Sequence, residues 1–397
     1  MSRSRRTPFL EKSGLLSIEF NPAMKTNGHP SRPRKVRYAV VGLGHIAQVA
    51  VLPAFANARK NSTLAALVSD DPVKLRELSR AYKVPRTFSY DEYEVCLRSG
   101  DVDAVYIALP NNQHREFAVR AAKARVHVLC EKPLALDEEE CHDIIRACAE
   151  NRVKLMTAYR LHFERANLEA IRLLQAGTIG QPRIFNSQFT MQVEAGNIRL
   201  KKAMGGGTLY DIGIYCINAA RYLFRAEPTD VFAYSANNGE RRFREVDEMT
   251  SAVMRFPEER LASFTTSFGA ADTAVYDVVG TQGTLRVKQA YEHSEEIKME
   301  ITLDGRTQKR SYPQRDQFGP ELIYFSDCVL KNKEPEPSGI EGLLDVHIIQ
   351  SLLKSARHGM SIKIQDLRRR RRPSLRQHIY RPVAPARRYT HAKAPTR

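Results

Sequence analysis

The chain has 397 residues, 42% hydrophobic and 27% charged, which is close to globular averages and excludes a wholly disordered, collagen-like or coiled-coil protein. No apolar run reaches the roughly 18 residues of a membrane span. The formal charge of +17 sits at the ends: residues 1–37 hold nine Lys/Arg and two acids, residues 366–397 hold eleven and one, and 38–365 hold 42 of each.

In chain order, residues 1–35 read as a basic, disordered extension. Ser4-Arg5-Arg6 with Phe9-Leu10 and Lys12 has the outline of a twin-arginine signal. Pro8 shifts the spacing, and no apolar stretch of about 7–15 residues follows. A cytoplasmic protein is expected, with a periplasmic one as the alternative. Cys96, Cys130, Cys141, Cys148, Cys216 and Cys328 form no CxxC pair and no zinc spacing, so reduced, buried thiols are expected.

Residues 36–158 read as strand, turn and helix, repeated. Val36–Val41 is an apolar strand. Gly42-Leu43-Gly44-His45-Ile46-Ala47 follows, then a helix-like stretch (Val49, Ala50, Leu52, Ala54, Phe55) that Pro53 kinks or breaks. Gly42 and Gly44 permit a tight turn and let backbone N–H groups approach a pyrophosphate. Small Ala47 lets helix pack on strand, and the helix N-terminus adds its positive dipole. A second strand, Leu64–Val68, ends at Ser69, where an NAD site would place an acid against the ribose 2′-OH. Ser69 with Lys74 suits a 2′-phosphate, while Asp70 and Asp71 argue against one. The balance favours NADP over NAD. The bland alternative is a helix-capping Ser69 and a solvated Lys74. Ala104–Leu109 with Pro110-Asn111, the helix Glu116–Ala124, and Val126–Cys130 with Glu131-Lys132-Pro133 complete a parallel, doubly wound pattern. Ligands bind beyond the strand ends, where Asn111, His114, Glu131 and Lys132 stand.

Residues 159–365 change character after Tyr159-Arg160-Leu161-His162. Strands are expected at 184–193, 230–235, 250–256, 261–268, 275–279, 284–287 and 297–303, several alternating as a sheet covered on one face should. Helices near 320–330 and 342–355 close the domain. The fold class is an α/β Rossmann domain plus an α+β domain with a large, open, mostly antiparallel sheet. Within this half, Gly205-Gly206-Gly207 gives a flexible entry, and Thr208 can cap the helix that follows. Asp211 and Tyr215 are i and i+4 on one helix face, and Asn218 and Tyr222 continue the stripe. An acid–phenol pair suits proton transfer if a cation lowers the phenol pKa from about 10. The alternative is a buried tyrosine bonded to a capping aspartate.

Residues 366–397 open on Arg368 to Arg372 and continue through Pro373, Pro382, Pro385 and Pro395. A disordered, Arg-rich tail is expected. The rival reading is an anionic partner, nucleic acid or membrane, but the aromatic residues are only Tyr380 and Tyr389.

GLGHIA, CEKP and GGGTLYDIG, in that order within about residues 36–363, resemble the Gfo/Idh/MocA (glucose–fructose oxidoreductase/inositol dehydrogenase) family. VGLG (41–44), ALVS (66–69) with Lys74, DAVYIALPN (103–111), LMTAYRLH (155–162), DIGIYCIN (211–218) and DQFGPEL (316–322) are most similar to its glucose–fructose oxidoreductase branch. The resemblance implies an NADP-dependent oxidoreductase acting on a sugar or polyol CH–OH or carbonyl group. It implies Lys132, Asp211 and Tyr215 as the catalytic group, and Gly42, Gly44, Ser69, Lys74, Asn111 and Glu131 as holding NADP. His45, Ile46, Pro110, His114, Lys132, Arg160 and Arg199 complete the expected cofactor set. Arg160 and His162 would face the sugar with the catalytic three. Tyr215 stands where many relatives carry histidine. Ile198-Arg199 stands where relatives often carry Trp-Arg, and the chain has no tryptophan. The alternatives are a trans-dihydrodiol or D-xylose dehydrogenase with exchangeable NADP, and a cofactor-sensing regulator whose basic tails bind nucleic acid. A sensor needs no Lys–Asp–Tyr relay, which argues against the regulator; nucleic acid is not an expected partner, nor, without an apolar span, is a membrane. The open sheet face implies a homodimer or homotetramer.

Overall fold

Arg37 alone in Val36–Val41 is not buried, as a strand covered on both faces requires. This strand, β1, lies mid-sheet in the computed structural model, which describes residues 35–365, 372–385 and 387–396. It pairs in parallel with β2 (Ser62–Val68) and β4 (Ala104–Ile107). β3 (Arg86–Phe88), β5 (His127–Glu131) and β6 (Leu155–Ala158) complete a six-stranded parallel sheet, order β3-β2-β1-β4-β5-β6. The order reverses between β1 and β4, the crevice where such sheets take ligands. After Gly44 the chain enters a π-helical turn, Ala47–Val51, that runs into α1 (Leu52–Ala54) with Pro53 in its first turn. The expected break at Pro53 is therefore a change of helical pitch. α2 (Pro72–Tyr82), α3 (Tyr93–Arg98), α4 (His114–Lys123) and α5 (Glu138–Glu150) connect the strands.

α6 (Arg165–Gln175) leads into a nine-stranded sheet. Its strands are β7 (Pro182–Thr190), β8 (Asp230–Ala236), β9 (Met249–Phe256), β10 (Arg260–Ser267), β11 (Thr273–Gly280), β12 (Gly283–Lys288), β13 (Ile297–Leu303), β14 (Arg306–Tyr312) and β15 (Ile362–Lys363). The order is β14-β13-β12-β11-β7-β10-β9-β8-β15, with β7 and β10 parallel and the remaining pairs antiparallel. All seven expected strands are present. β14 and β15 are additional: both are edge strands, and β14 (RTQKRSY) is too polar to read as one. α6, α7 (Ile214–Phe224) and α9 (Gly339–His358) pack into the core on one face. The other face leaves Ile184, Tyr234, Val253 and Leu261 exposed.

The sheets divide near residue 158, but the packing crosses that line. α8 (Phe318–Leu330) sends Phe318, Leu322 and Phe325 into the core of the first sheet beside Val36, Tyr38 and Val40. Ser326 bonds both Tyr38 and Ser62 at 2.8 Å.

The basic N-terminal stretch lies outside the described residues apart from Lys35, as do Arg368–Arg371. The C-terminal expectation needs correction, because 372–385 and 387–396 lie docked on the body. Arg372 bonds Glu227 at 2.9 Å, and Gln377 bonds the Glu336 carbonyl at 2.7 Å from a short turn capped by Ser374. Arg381 reaches the Asn57 carbonyl at 3.0 Å. Composition argued against a hydrophobic core in this segment. Polar bonds and ring contacts hold it instead, and its prolines reduce the entropy lost on docking.

Candidate active site

The glycine turn is fixed by sterics. Gly42 has φ +88°, and a Cβ there would lie 2.6 Å from the Ala108 carbonyl oxygen of the adjoining strand end. Its amide bonds the Val68 carbonyl at 3.0 Å, tying the turn to β2. At Gly44 a Cβ would meet nothing within 4 Å. The turn therefore presents backbone to open space beside His45, Ile46 and a helix start, a cradle that fits a pyrophosphate.

At the end of β2, Asp71 rather than Ser69 caps α2, accepting from the Val73 and Lys74 amides at 3.0 Å each. The Lys74 amide chiefly, then His391 and the Lys74 charge, hold the Asp71 carboxyl below its ordinary value. Asp70 accepts from the Tyr90 amide at 2.8 Å. Asp70 is thus turned to a backbone amide, as is Asp71 Oδ1, while Asp71 Oδ2 faces Lys74 and His391. Ser69 is buried and its hydroxyl accepts from the Asp71 amide at 3.2 Å, while Lys74 Nζ lies 3.9 Å from Asp71 Oδ2.

The triple glycine brings the two halves together. A Cβ on Gly205 would fall 2.7 Å from Asn111 Cβ, and Asn111 Nδ2 donates to the Gly205 carbonyl at 2.8 Å. From there Leu209–Gly213 forms a π turn ahead of α7. Thr208 does not cap it, having helical dihedrals and no capping bond. Lys132 Nζ, just past β5, donates to the Asp211 carbonyl at 2.8 Å and lies 3.5 Å from its Oδ1. Arg199 Nε donates to Asp211 Oδ2 at 2.6 Å. Burial opposes ionisation of Asp211, but Arg199 and Lys132 together outweigh it and hold the carboxyl below its ordinary value. The π turn carries Asp211 and ends before Tyr215, and Lys132 stands near both. Asp211 grips the two cations, and Lys132 Nζ and Arg160 Cζ each lie 4.9 Å from the centre of the Tyr215 ring. Buried Arg160 is itself held by the Gln317 side chain and the Tyr291 carbonyl.

Two expected contacts need correction. His114 is fully buried, its Nδ1 2.8 Å from the Pro133 carbonyl and its Nε2 3.0 Å from the Leu109 carbonyl. It ties the ends of β4 and β5 together and has no edge left for a cofactor. His162 is 1% exposed, with Nε2 2.5 Å from the Tyr222 hydroxyl and its ring stacked on Tyr159. It belongs to the packed network behind the site. Glu131 is turned inward, accepting from Tyr106 at 2.8 Å. Half-buried Pro110 leads into the turn Asn111–Gln113.

His293 was not anticipated. Burial, then Arg160 and His45, lower its pKa to about 3, so it is neutral in this cationic setting. It sits in a loop between β12 and β13 with no motif around it. Burial and Arg199 likewise lower the pKa of His45.

Two family models match the chain: "Oxidoreductase family, NAD-binding Rossmann fold" over residues 36–159, and "GFO/IDH/MocA C-terminal domain" over 167–286. A D-xylose 1-dehydrogenase [NADP(+)] of Haloarcula marismortui is 30% identical over 336 residues, covering 83% of this chain and 93% of that protein. The crystal structure of aldose-aldose oxidoreductase from Caulobacter crescentus, complexed with glycerol, is 35% identical with a TM-score of 0.80, covering 83% of this chain and all of that one. A 3-ketoreductase from Actinomadura kijaniata, crystallised with NADP and TDP-benzene, is 26% identical with a TM-score of 0.74, over 81% and 98% of the two chains.

Proposed function

The chain belongs to the Gfo/Idh/MocA oxidoreductase family, and on that footing we propose how it works as an NADP-dependent oxidoreductase of sugar or polyol CH–OH groups. NADP-dependent relatives acting on xylose support the cofactor and substrate class. Bound NADP supplies or accepts the hydride. The chain's own task is the proton: reducing a carbonyl leaves an alkoxide unless an acid is positioned beside it. The observation that carries this reading is the pair of cations over Tyr215. Lys132 and Arg160 each lie 4.9 Å from the ring centre, so two cations stand over the phenol that would donate the proton. Asp211 holds Lys132 and Arg199 in register, so it is a positioning carboxylate. Gly42, Gly44, His45, Ile46, Ser69, Lys74, Pro110, Asn111, Glu131 and Arg199 would line the cofactor crevice.

Tyr215→Phe tests this. We expect kcat to fall by about 10²–10⁴-fold, the usual worth of general acid–base catalysis, with NADP affinity unchanged. A near-wild-type kcat with an unaltered pH profile would remove Tyr215 from the role.

The uncovered sheet face, with Ile184, Tyr234, Val253 and Leu261 exposed, is proposed to seat a second copy of the chain. Val253→Glu with Tyr234→Glu should yield monomers by light scattering, and an unchanged mass would refute the assignment. All six cysteines are buried and unbridged, which fits a reducing compartment, and we place the protein in the cytoplasm. Among the described residues, no helix is long and apolar enough to cross a membrane.

A further inference from the structure

The last stretch of the C-terminal arm lies on the cofactor edge of the first sheet. The Tyr389 ring meets His45, in the glycine turn, edge-on at 5.4 Å. Thr390 is clamped by Gln48: its amide donates to Gln48 Oε1, and Gln48 Nε2 donates to its carbonyl, both at 2.8 Å. Gln48 is 2% exposed and also bonds the Leu43 carbonyl at 2.9 Å. Undocking the arm would take two partners from a buried amide, which disfavours an undocked state. Next, His391 Nδ1 lies 3.1 Å from Asp71 Oδ2. The Pro395 carbonyl then accepts from the Glu194 amide at 3.0 Å, carrying the arm across to the second half.

In a dinucleotide fold the pyrophosphate lies at the glycine turn, and the adenosine 2′-substituent lies beyond the second strand. The arm touches both places, and only the second distinguishes NADP from NAD. Ser69 and Lys74 meet a 2′-phosphate incompletely. The buried Ser69 hydroxyl accepts from the Asp71 amide and has only its own proton to donate, which leaves Lys74 as the one cation there for a group carrying nearly two negative charges. From Arg387 to Thr396 the arm carries Arg387, Arg388, His391 and Lys393 and no acid. Arg387 is engaged over the Tyr82 ring at 4.8 Å. His391 has a side chain 58% exposed and sits at the strand end itself.

We propose that the C-terminal arm is part of the NADP site: His391 reads the 2′-phosphate opposite Lys74, and the Gln48–Thr390 clamp holds it there. This rests on the NADP dependence argued above. The test is equilibrium binding of NADPH and NADH to four chains: full length, ending at Pro385, His391→Ala and Thr390→Pro. Thr390→Pro removes the clamped N–H and changes no cofactor-facing side chain. His391→Ala is an exposed change that leaves the fold alone. In each variant NADPH binding should weaken about 10–100-fold, the worth of a hydrogen bond to a charged group, while NADH binding shifts less than about threefold. An unchanged NADPH/NADH ratio would overturn the proposal. So would tighter NADPH binding after truncation, which would make the arm an occluding segment. A full-length chain that binds neither cofactor, or prefers NADH, would instead strike at the NADP reading itself.

Discussion

One helix, Ile214–Phe224, joins two charge clusters built from similar groups in opposite balance. At its entry a single acid, Asp211, lies between Lys132 and Arg199, with side chains 17%, 13% and 26% exposed. At its far end Arg221, fully buried, is bonded by Glu227, Glu341 and Asp345, and Arg372 of the arm joins through Glu227. Cations outnumber acids at the open end, and acids outnumber cations at the sealed end. The consequence shows in two aspartates. Asp211 is held low despite burial, whereas burial pushes Asp345 up to about 6 against the pull of Arg221. It shows again in two tyrosines. The Tyr215 ring lies under cations at the cleft, while the Tyr222 hydroxyl is spent on Glu341 and His162. Exposure decides whether such a cluster binds the protein to itself or stays open to a ligand.

The tyrosines give the sharpest contrast. Where Tyr215→Phe should cost orders of magnitude in kcat, Tyr222→Phe should leave kcat within about threefold and lower stability by about 1–3 kcal/mol, the penalty for an unsatisfied buried group. If both variants lose turnover equally while staying folded, the two ends are not functionally distinct. The arginines come next. Arg221→Met strands buried carboxylates and should cost about 3–5 kcal/mol in denaturant unfolding. Arg199→Met, at a partly exposed pair, should cost under about 1 kcal/mol yet slow turnover by loosening Asp211. The smallest effect is in pH. Because the Asp345 pKa is raised on folding, its contribution is full below the ordinary 3.8 and is lost as pH climbs toward about 6. For Asp211, lowered on folding, the contribution is present above 3.8 and lost only at more acid pH. The stability gap between wild type and Asp345→Asn should therefore change between pH 3.8 and about 6, where the gap for Asp211→Asn stays flat. Parallel curves in urea titrations would contradict the assignment.

The legible parts of the molecule were those with local causes. Gly42 and Gly44 announce a turn through backbone freedom, and alternation in β7 to β13 follows from one covered face. The triple glycine and CEKP located the cleft because each sits where a strand or loop ends. What escaped depends on distant partners. Nothing near His114 foretells two carbonyls on its ring, and nothing near His162 foretells Tyr222. The i, i+4 rule placed Asp211 near Tyr215 but gave no sign that Arg199 would hold the carboxylate. The arm was read from its charge as unbound. Its docking rests on Gln48 meeting Thr390 across 342 residues, a pairing to which composition and periodicity are blind.

The return of α8 to the first sheet has a consequence for synthesis. Translation delivers all six strands of the cofactor sheet by residue 158, yet Phe318, Leu322 and Phe325, which seal the face around Tyr38, arrive about 160 residues later. Throughout that interval the part of that apolar side that α8 will seal has no cover, although Val51, Leu52 and Phe55 already pack on the same side, and such surface is where aggregation and chaperone binding compete with folding. The nucleotide-binding half is thus not a detachable module. No chain stopped short of α8 contains the residues that close it.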